Sequence, residues 1–280
     1  MPPIDRRHML ASLGVLGSSG LLAGCGQESA KVPRASGNEQ EGVPEKCFLL
    51  GPPNAPVGVD ASWEYLPLDA AAVGETAYRI YPEGSCMYAV VGSVMQELAA
   101  KDPVPFSTFP YQMMRYGQGG LGGWGSLCGV VNGGAALIGL FCADLPKETL
   151  QELIGELCSW YEATLLPAYT PHQPWWASEV QPSVAESLLC HVSVSNWCEA
   201  TGRDAFCMHK KERCRRLAAD GAMKTVEILN RKAEHGTSEF TGLTPEVNAC
   251  IKCHGRDQRA DITVKMNCAS CHQFDGKHPE

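Results

Sequence analysis

The chain has 280 residues, 44% of them hydrophobic and 19% charged, enough apolar material for one large or two modest globular domains. Its formal charge is −8, which excludes the basic surface of a nucleic-acid binder and suits a basic redox partner protein. Fourteen cysteines are the compositional outlier.

Residues 1–25 read as a targeting segment rather than as fold. Arg6-Arg7 sits in a short polar start, followed by a mildly apolar run from Leu10 to Leu22 that Gly14, Gly17 and Gly20 dilute. This pattern resembles a twin-arginine export signal. Leu22-Ala23-Gly24-Cys25 resembles a bacterial lipobox, which makes Cys25 the expected lipidation site and membrane anchor. The alternative is an ordinary signal peptide with an incidental cysteine. Both predict export to the periplasmic side of a bacterial membrane, and no later run is long and apolar enough to span a bilayer. Residues 26–60, rich in Gly, Pro, Ser, Glu and Lys, are expected to be a flexible tether, with no role assigned to Cys47.

Residues 61–236 read as a helical domain. Gly84-Ser85 is placed to cap a helix from Cys86 to Ala100, ended by Pro103 and Pro105. The Gly-rich stretch 117–125 leads into a small-residue helix over 127–142, where glycine admits a neighbouring backbone or a bulky cofactor. No Gly-Lys-Ser/Thr follows, so a phosphate loop is not expected. Asp144 and Pro146 suggest the next helix start, with Leu150, Leu153, Ile154, Leu157, Tyr161 and Leu165 on its buried face. Ser183-x-x-Glu186 has the form of a capping box opening a helix to about Ala200. On that helix His191 and Cys198 share a face, within roughly 20°. A last long helix is expected from about Lys210 to Glu234, burying Cys214, Leu217, Ala218, Gly221, Thr225 and Ile228.

Residues 237–280 form the tail that organises the rest. Cys250-Ile251-Lys252-Cys253-His254 and Cys268-Ala269-Ser270-Cys271-His272 both read C-x-x-C-H, the attachment signature of c-type haem. Two thiols at this spacing form thioethers with one porphyrin, and the following imidazole becomes the proximal iron ligand. The expected cofactors are therefore two covalently attached haem c groups, on Cys250, Cys253 and His254 and on Cys268, Cys271 and His272. A zinc ribbon on the four thiols is the competing reading. The short connection makes the haems near neighbours. The tail is too small to bury them, so they must pack on the helical domain, a second subunit, or both.

His191 and His235 are the first choices for the sixth iron ligands, with His172, His209, Met223 and Met266 in reserve. Cysteines spread over separate helices supply a second candidate metal site, Cys86, Cys128, Cys198 and Cys214, suited to an iron–sulfur cluster. Buried thiols packing as small hydrophobes are the alternative.

The paired C-x-x-C-H motifs at the C-terminus resemble those of split-Soret cytochrome c. So do Cys128-Gly129-Val130-Val131-Asn132-Gly133-Gly134-Ala135, Cys190-His191-Val192-Ser193-Val194-Ser195-Asn196-Trp197-Cys198 and Arg213-Cys214-Arg215-Arg216-Leu217. The helical part is similar to a wider redox-active group marked by a Cys, a Cys-Gly-x-x-x-Gly stretch and two later Cys. Those positions match Cys86, Cys128 with Gly129 and Gly133, Cys198 or Cys190, and Cys214. Val130-Val131 departs from the Cys-Ala common in that group. The resemblance implies a homodimeric dihaem electron carrier with two-His ligation and an iron–sulfur centre in the helical domain. A haem oxidoreductase with one open iron is the runner-up. The expected fold is mainly α, a multi-helix domain followed by a short, irregular C-terminal dihaem-binding tail.

Overall fold

The computed structural model describes residues 63–176, 179–255 and 265–272. The expected export signal with Cys25, the tether with Cys47, and residues 256–264 and 273–280 of the tail lie outside the described residues. Elements follow in the order α1 (Ala70–Lys101), α2 (Gly129–Phe141), α3 (Lys147–Ala163), β1 (Leu165–Leu166), β2 (Ser183–Val184), α4 (Cys190–Thr201), α5 (Met208–His235) and α6 (Pro245–His254). Short 3₁₀ turns at Phe106–Thr108, Tyr111–Gly117 and Cys268–Ser270 complete the list among the described residues. The molecule is mainly α, and its C-terminal region is less regular. Among the described residues no helix is long and apolar enough to cross a membrane.

α1 and α5 lie along each other and carry the core, with α2 packed on both. α5 buries Cys214, Leu217, Ala218, Gly221, Thr225 and Ile228, the face anticipated from its periodicity, and ends at Gly236 with φ 69°. The close approach depends on missing side chains. A Cβ on Gly221 would stand 2.0 Å from Val130 Cγ1, and one on Gly129 would stand 2.5 Å from the Gly117 carbonyl oxygen. Gly129, Gly133 and Gly134 of α2 thus admit neighbouring elements.

Three local expectations are corrected. α1 does not begin at Cys86 but continues a helical stretch starting at Ala70, capped by the Asp69 carboxylate. The two parts meet at Ser85, where φ 67° and ψ −158° break the helix three residues after Pro82. α3 starts at Lys147 behind Pro146 rather than at Asp144, and Leu165 is 56% exposed in β1 instead of extending the buried face. Ser183-x-x-Glu186 does not cap a helix. Ser183 and Val184 pair with Leu166 and Leu165 in an antiparallel ribbon, and α4 opens only at Cys190. Strand pairing satisfied the backbone that a capping box would otherwise have served.

The tail runs onto α3. Glu156 of α3 is buried, forms ion pairs with Lys224 at 2.9 Å and with Arg231, and accepts the Glu239 amide at 3.0 Å. Phe240 lies over Gly155, whose absent Cβ would be 3.1 Å from the ring. Thr244 then caps α6, with Pro245 in its first turn.

Candidate functional site

The first C-x-x-C-H motif occupies the last turn of α6. Cys250, Cys253 and His254 are three and four residues apart on a helix and so share one face. The second begins in the 3₁₀ turn Cys268–Ser270, whose Asn267 side chain caps the turn and whose Asn267 amide donates to Glu162 Oε1 at 3.4 Å. The two motifs meet. Burial, then a hydrogen bond with Cys250, pushes the Cys268 thiol upward. Cys253, Cys271 and His272 are exposed.

The proposed sixth ligands lie elsewhere in the chain. His191, at the start of α4, turns its Nδ1 to the Gly125 carbonyl oxygen at 2.9 Å. His235 is exposed at the end of α5, 3.6 Å from Glu234. Met223 packs its sulfur against Gly74, and His209 lies edge-on to Trp176.

A second site forms where α1, α2, α4 and α5 converge. Cys86 follows the break at Ser85, Cys128 precedes α2, Cys190 opens α4, and Cys214 lies in the second turn of α5. Cys86, Cys128 and Cys214 are 6%, 3% and 6% exposed, so the thiols are shielded from water. They form two hydrogen-bonded pairs, Cys86 with Cys214 and Cys128 with Cys190, and the pairs feel one another's charge. In the first pair the hydrogen bond from Cys86, helped by Lys210 and Arg213, holds the Cys214 thiol well below its ordinary value. Cys86 is pushed up in return, by that bond and by burial. In the second pair the bond from Cys190, helped by Tyr161, lowers Cys128, while Cys190 is raised. Tyr81 adds its hydroxyl 3.7 Å from Cys86 Sγ, and Arg213 is held by the Ser193 hydroxyl at 2.8 Å.

The fourth member is Cys190, where Cys198 was expected. An antiparallel bridge between Leu127 and Leu189 decides this. The Cys128 amide donates to the Leu188 carbonyl at 2.8 Å, and the Cys190 amide donates to the Ser126 carbonyl at 2.7 Å. Cys128 and Cys190 are thereby side by side. Cys198 is eight residues further along α4, roughly 12 Å by helix rise, where its thiol neighbour is Cys207. Cys142 is buried and Cys158 half-buried, and burial is the first cause that raises each thiol.

Four sulfur donors with two nearby cations fit an iron–sulfur cluster, which takes four thiolates and carries net negative charge. Among the described residues no three His, Cys, Asp or Glu side chains gather tightly enough for a single metal ion. A cluster spaces its thiolates more widely, because several irons and sulfides lie between them. The two-and-two pairing of the thiols suits that wider frame.

A helical domain with convergent cysteines, joined to twin haem-attachment motifs, defines a redox protein. Residues 85–228 match the family model described as "Putative redox-active protein (C_GCAxxG_C_C)", so the match begins at the α1 break and spans all four cysteines. The chain is 31% identical over 279 residues to a split-Soret cytochrome c of Desulfovibrio desulfuricans, covering 96% of this chain and 94% of that one. It also superimposes with a TM-score of 0.70 on a solved structure of split-Soret cytochrome c from Desulfovibrio desulfuricans ATCC 27774, which is described as having a novel iron centre. That match has 31% identity and covers 75% of this chain and 90% of that one. The chain belongs to the split-Soret cytochrome c family.

Proposed function

We propose that the protein is an exported dihaem c-type cytochrome that carries electrons, with an iron–sulfur centre in its helical domain. The observation that carries the haem assignment is the pair of C-x-x-C-H motifs folded against each other through Cys250 and Cys268. Cys250, Cys253 and His254 would hold one haem, and Cys268, Cys271 and His272 the other. Cys86, Cys128, Cys190 and Cys214 would hold the iron–sulfur centre, with Lys210 and Arg213 offsetting its charge. Such groups supply one-electron redox chemistry, and the protein's part is to bind them, shield them and keep them close.

His191 and His235 remain the proposed sixth ligands. In one chain their rings are engaged near Gly125 and Glu234, so a partner subunit is the natural recipient of either. Lipidation of Cys25 would tether the homodimer to the membrane, within reach of redox partner proteins. The twin-arginine pattern suits a domain that receives its cluster in the cytoplasm and is exported folded, with haem attached afterwards. Full export and full iron content in cells lacking that route would contradict this order of events.

The test is spectroscopic. Both irons should be six-coordinate and low-spin, and carbon monoxide should leave the spectrum unchanged. His254→Ala and His272→Ala should each make one iron high-spin. Wild-type protein with an open, ligand-binding haem would favour an enzyme over a carrier.

A further inference from the structure

A cavity of about 720 Å³ lies beside the cysteine quartet. Cys86, Cys190 and Cys214 form part of its wall, with Lys210, Lys211 and Arg215, and its lining contains no Asp or Glu. Lys210 and Arg213 act on the Cys214 thiolate, but Arg215 has no such role. Arg215 is 8% exposed, and its Nε donates to the Tyr78 carbonyl oxygen at 2.6 Å. Its guanidinium carbon lies 4.1 Å from the Tyr78 ring centre and 5.6 Å from that of Trp175. Nη1 of the same group is buried without a hydrogen-bond partner. The nearest carboxylate in sequence, Glu212, takes the Tyr78 hydroxyl and Arg216 Nε on Oε1, both at 2.8 Å, and its Oε2 is outside the cavity lining and, among the described residues, without a partner.

Among the described residues no acceptor serves Nη1, and the Lys210, Lys211 and Arg215 charges on the cavity wall face no carboxylate of its lining, which leaves them for an anion to offset. Stacking against Tyr78 and Trp175 fixes the plane of the fork, which suits an oxygen-bearing anion better than a flexible ammonium would. We propose that the cavity is a binding site for a small inorganic oxyanion of sulfate or sulfite size, held by Arg215 and Lys211 beside the cysteine centre. An oxyanion there would sit against the wall formed by Cys86, Cys190 and Cys214, close enough to perturb a metal bound to them. This inference goes beyond electron carriage; the anion's binding does not need the metal, and only the test of its placement rests on the proposed iron centre.

Sulfate is a suitable probe because it is redox-inert. Calorimetric titration of the full-length holoprotein with sulfate, at ionic strength held constant with chloride, should show one saturable site per chain. Arg215→Gln and Lys211→Gln should each weaken binding about tenfold or more, the usual loss for a hydrogen bond to a charged group. Lys211 is exposed, so its variant folds normally and is decisive if Arg215→Gln does not. Saturating sulfate should also shift the paramagnetic resonance spectrum of the reduced iron centre. Heat without saturation, or unchanged affinity in Lys211→Gln, overturns the site. Sulfate binding without a spectral shift overturns its placement beside the cysteines. Iron-free protein that still binds sulfate would remove the iron centre and keep the anion site. Iron-loaded protein that ignores sulfate would do the reverse.

Discussion

Cys128 and Cys190 sit side by side because the backbone flanking both is paired through Leu127 and Leu189. No spacing rule exposes this. On α4 alone, Cys190 and Cys198 are equally available, and the helical face shared by His191 and Cys198 favours Cys198. The choice is testable. Cys190→Ser should lose the non-haem iron and the acid-labile sulfide, whereas Cys198→Ser should keep both. Cys86 is aimed in a different way, by the left-handed backbone of Ser85 (φ 67°). A side chain in that region of φ and ψ is strained, and such strain clusters where a neighbouring group must be positioned. Ser85→Gly should therefore raise thermal stability, on the order of 1 kcal/mol, while iron content stays the same. A lower melting temperature would show that the serine itself is needed at the break.

Among the elements, α5 links the two sites: Cys214 faces the quartet, while Lys224 and Arg231 secure Glu156 and through it the tail. Asp220, on the same helix, accepts the Ala168 and Tyr169 amides at 3.0 and 2.8 Å. Burial raises its carboxyl from 3.8 to about 6. Between those values the folded protein retains a proton that the unfolded chain has released. The Asp220 contribution to stability thus falls as pH rises from about 4 to about 6. Melting temperatures across that range should show a shallower pH dependence in Asp220→Asn than in wild type. An unchanged slope would mean that another group titrates there. Elements with regular periodicity were legible from sequence, as with the buried face and the Gly236 stop of α5. The helical start at Ala70 was not, because Gly74, Pro82, Gly84 and Ser85 interrupt its pattern. The ribbon β1–β2 was hidden because it depends on two short segments pairing across a long loop, a long-range choice that overrode the local capping signal of Ser183 and Glu186.

At the scale of the whole molecule, two porphyrins need more cover than α6 and one 3₁₀ turn supply. Trp124 and Phe206, 87% and 95% exposed, add apolar surface for a partner to cover. A two-fold partner would cover the haems with a copy of the same surface and bring a histidine from each chain to the other. Sedimentation of haem-loaded protein lacking residues 1–25 should give a dimer at micromolar concentration. A monomer with both irons six-coordinate would show that one chain covers its own haems. The paired C-x-x-C-H motifs were legible directly, as a fixed spacing within two short segments. The composition of the cysteine quartet was not, since four chain segments meet only in the folded domain. The most direct measurement is a joint count of covalent haem, total iron and acid-labile sulfide on the purified protein. The account predicts two covalent haems per chain, iron in excess of haem, and sulfide accompanying that excess. Iron equal to haem with no sulfide would contradict the cysteine centre, and zinc in place of covalent haem would contradict the cytochrome itself.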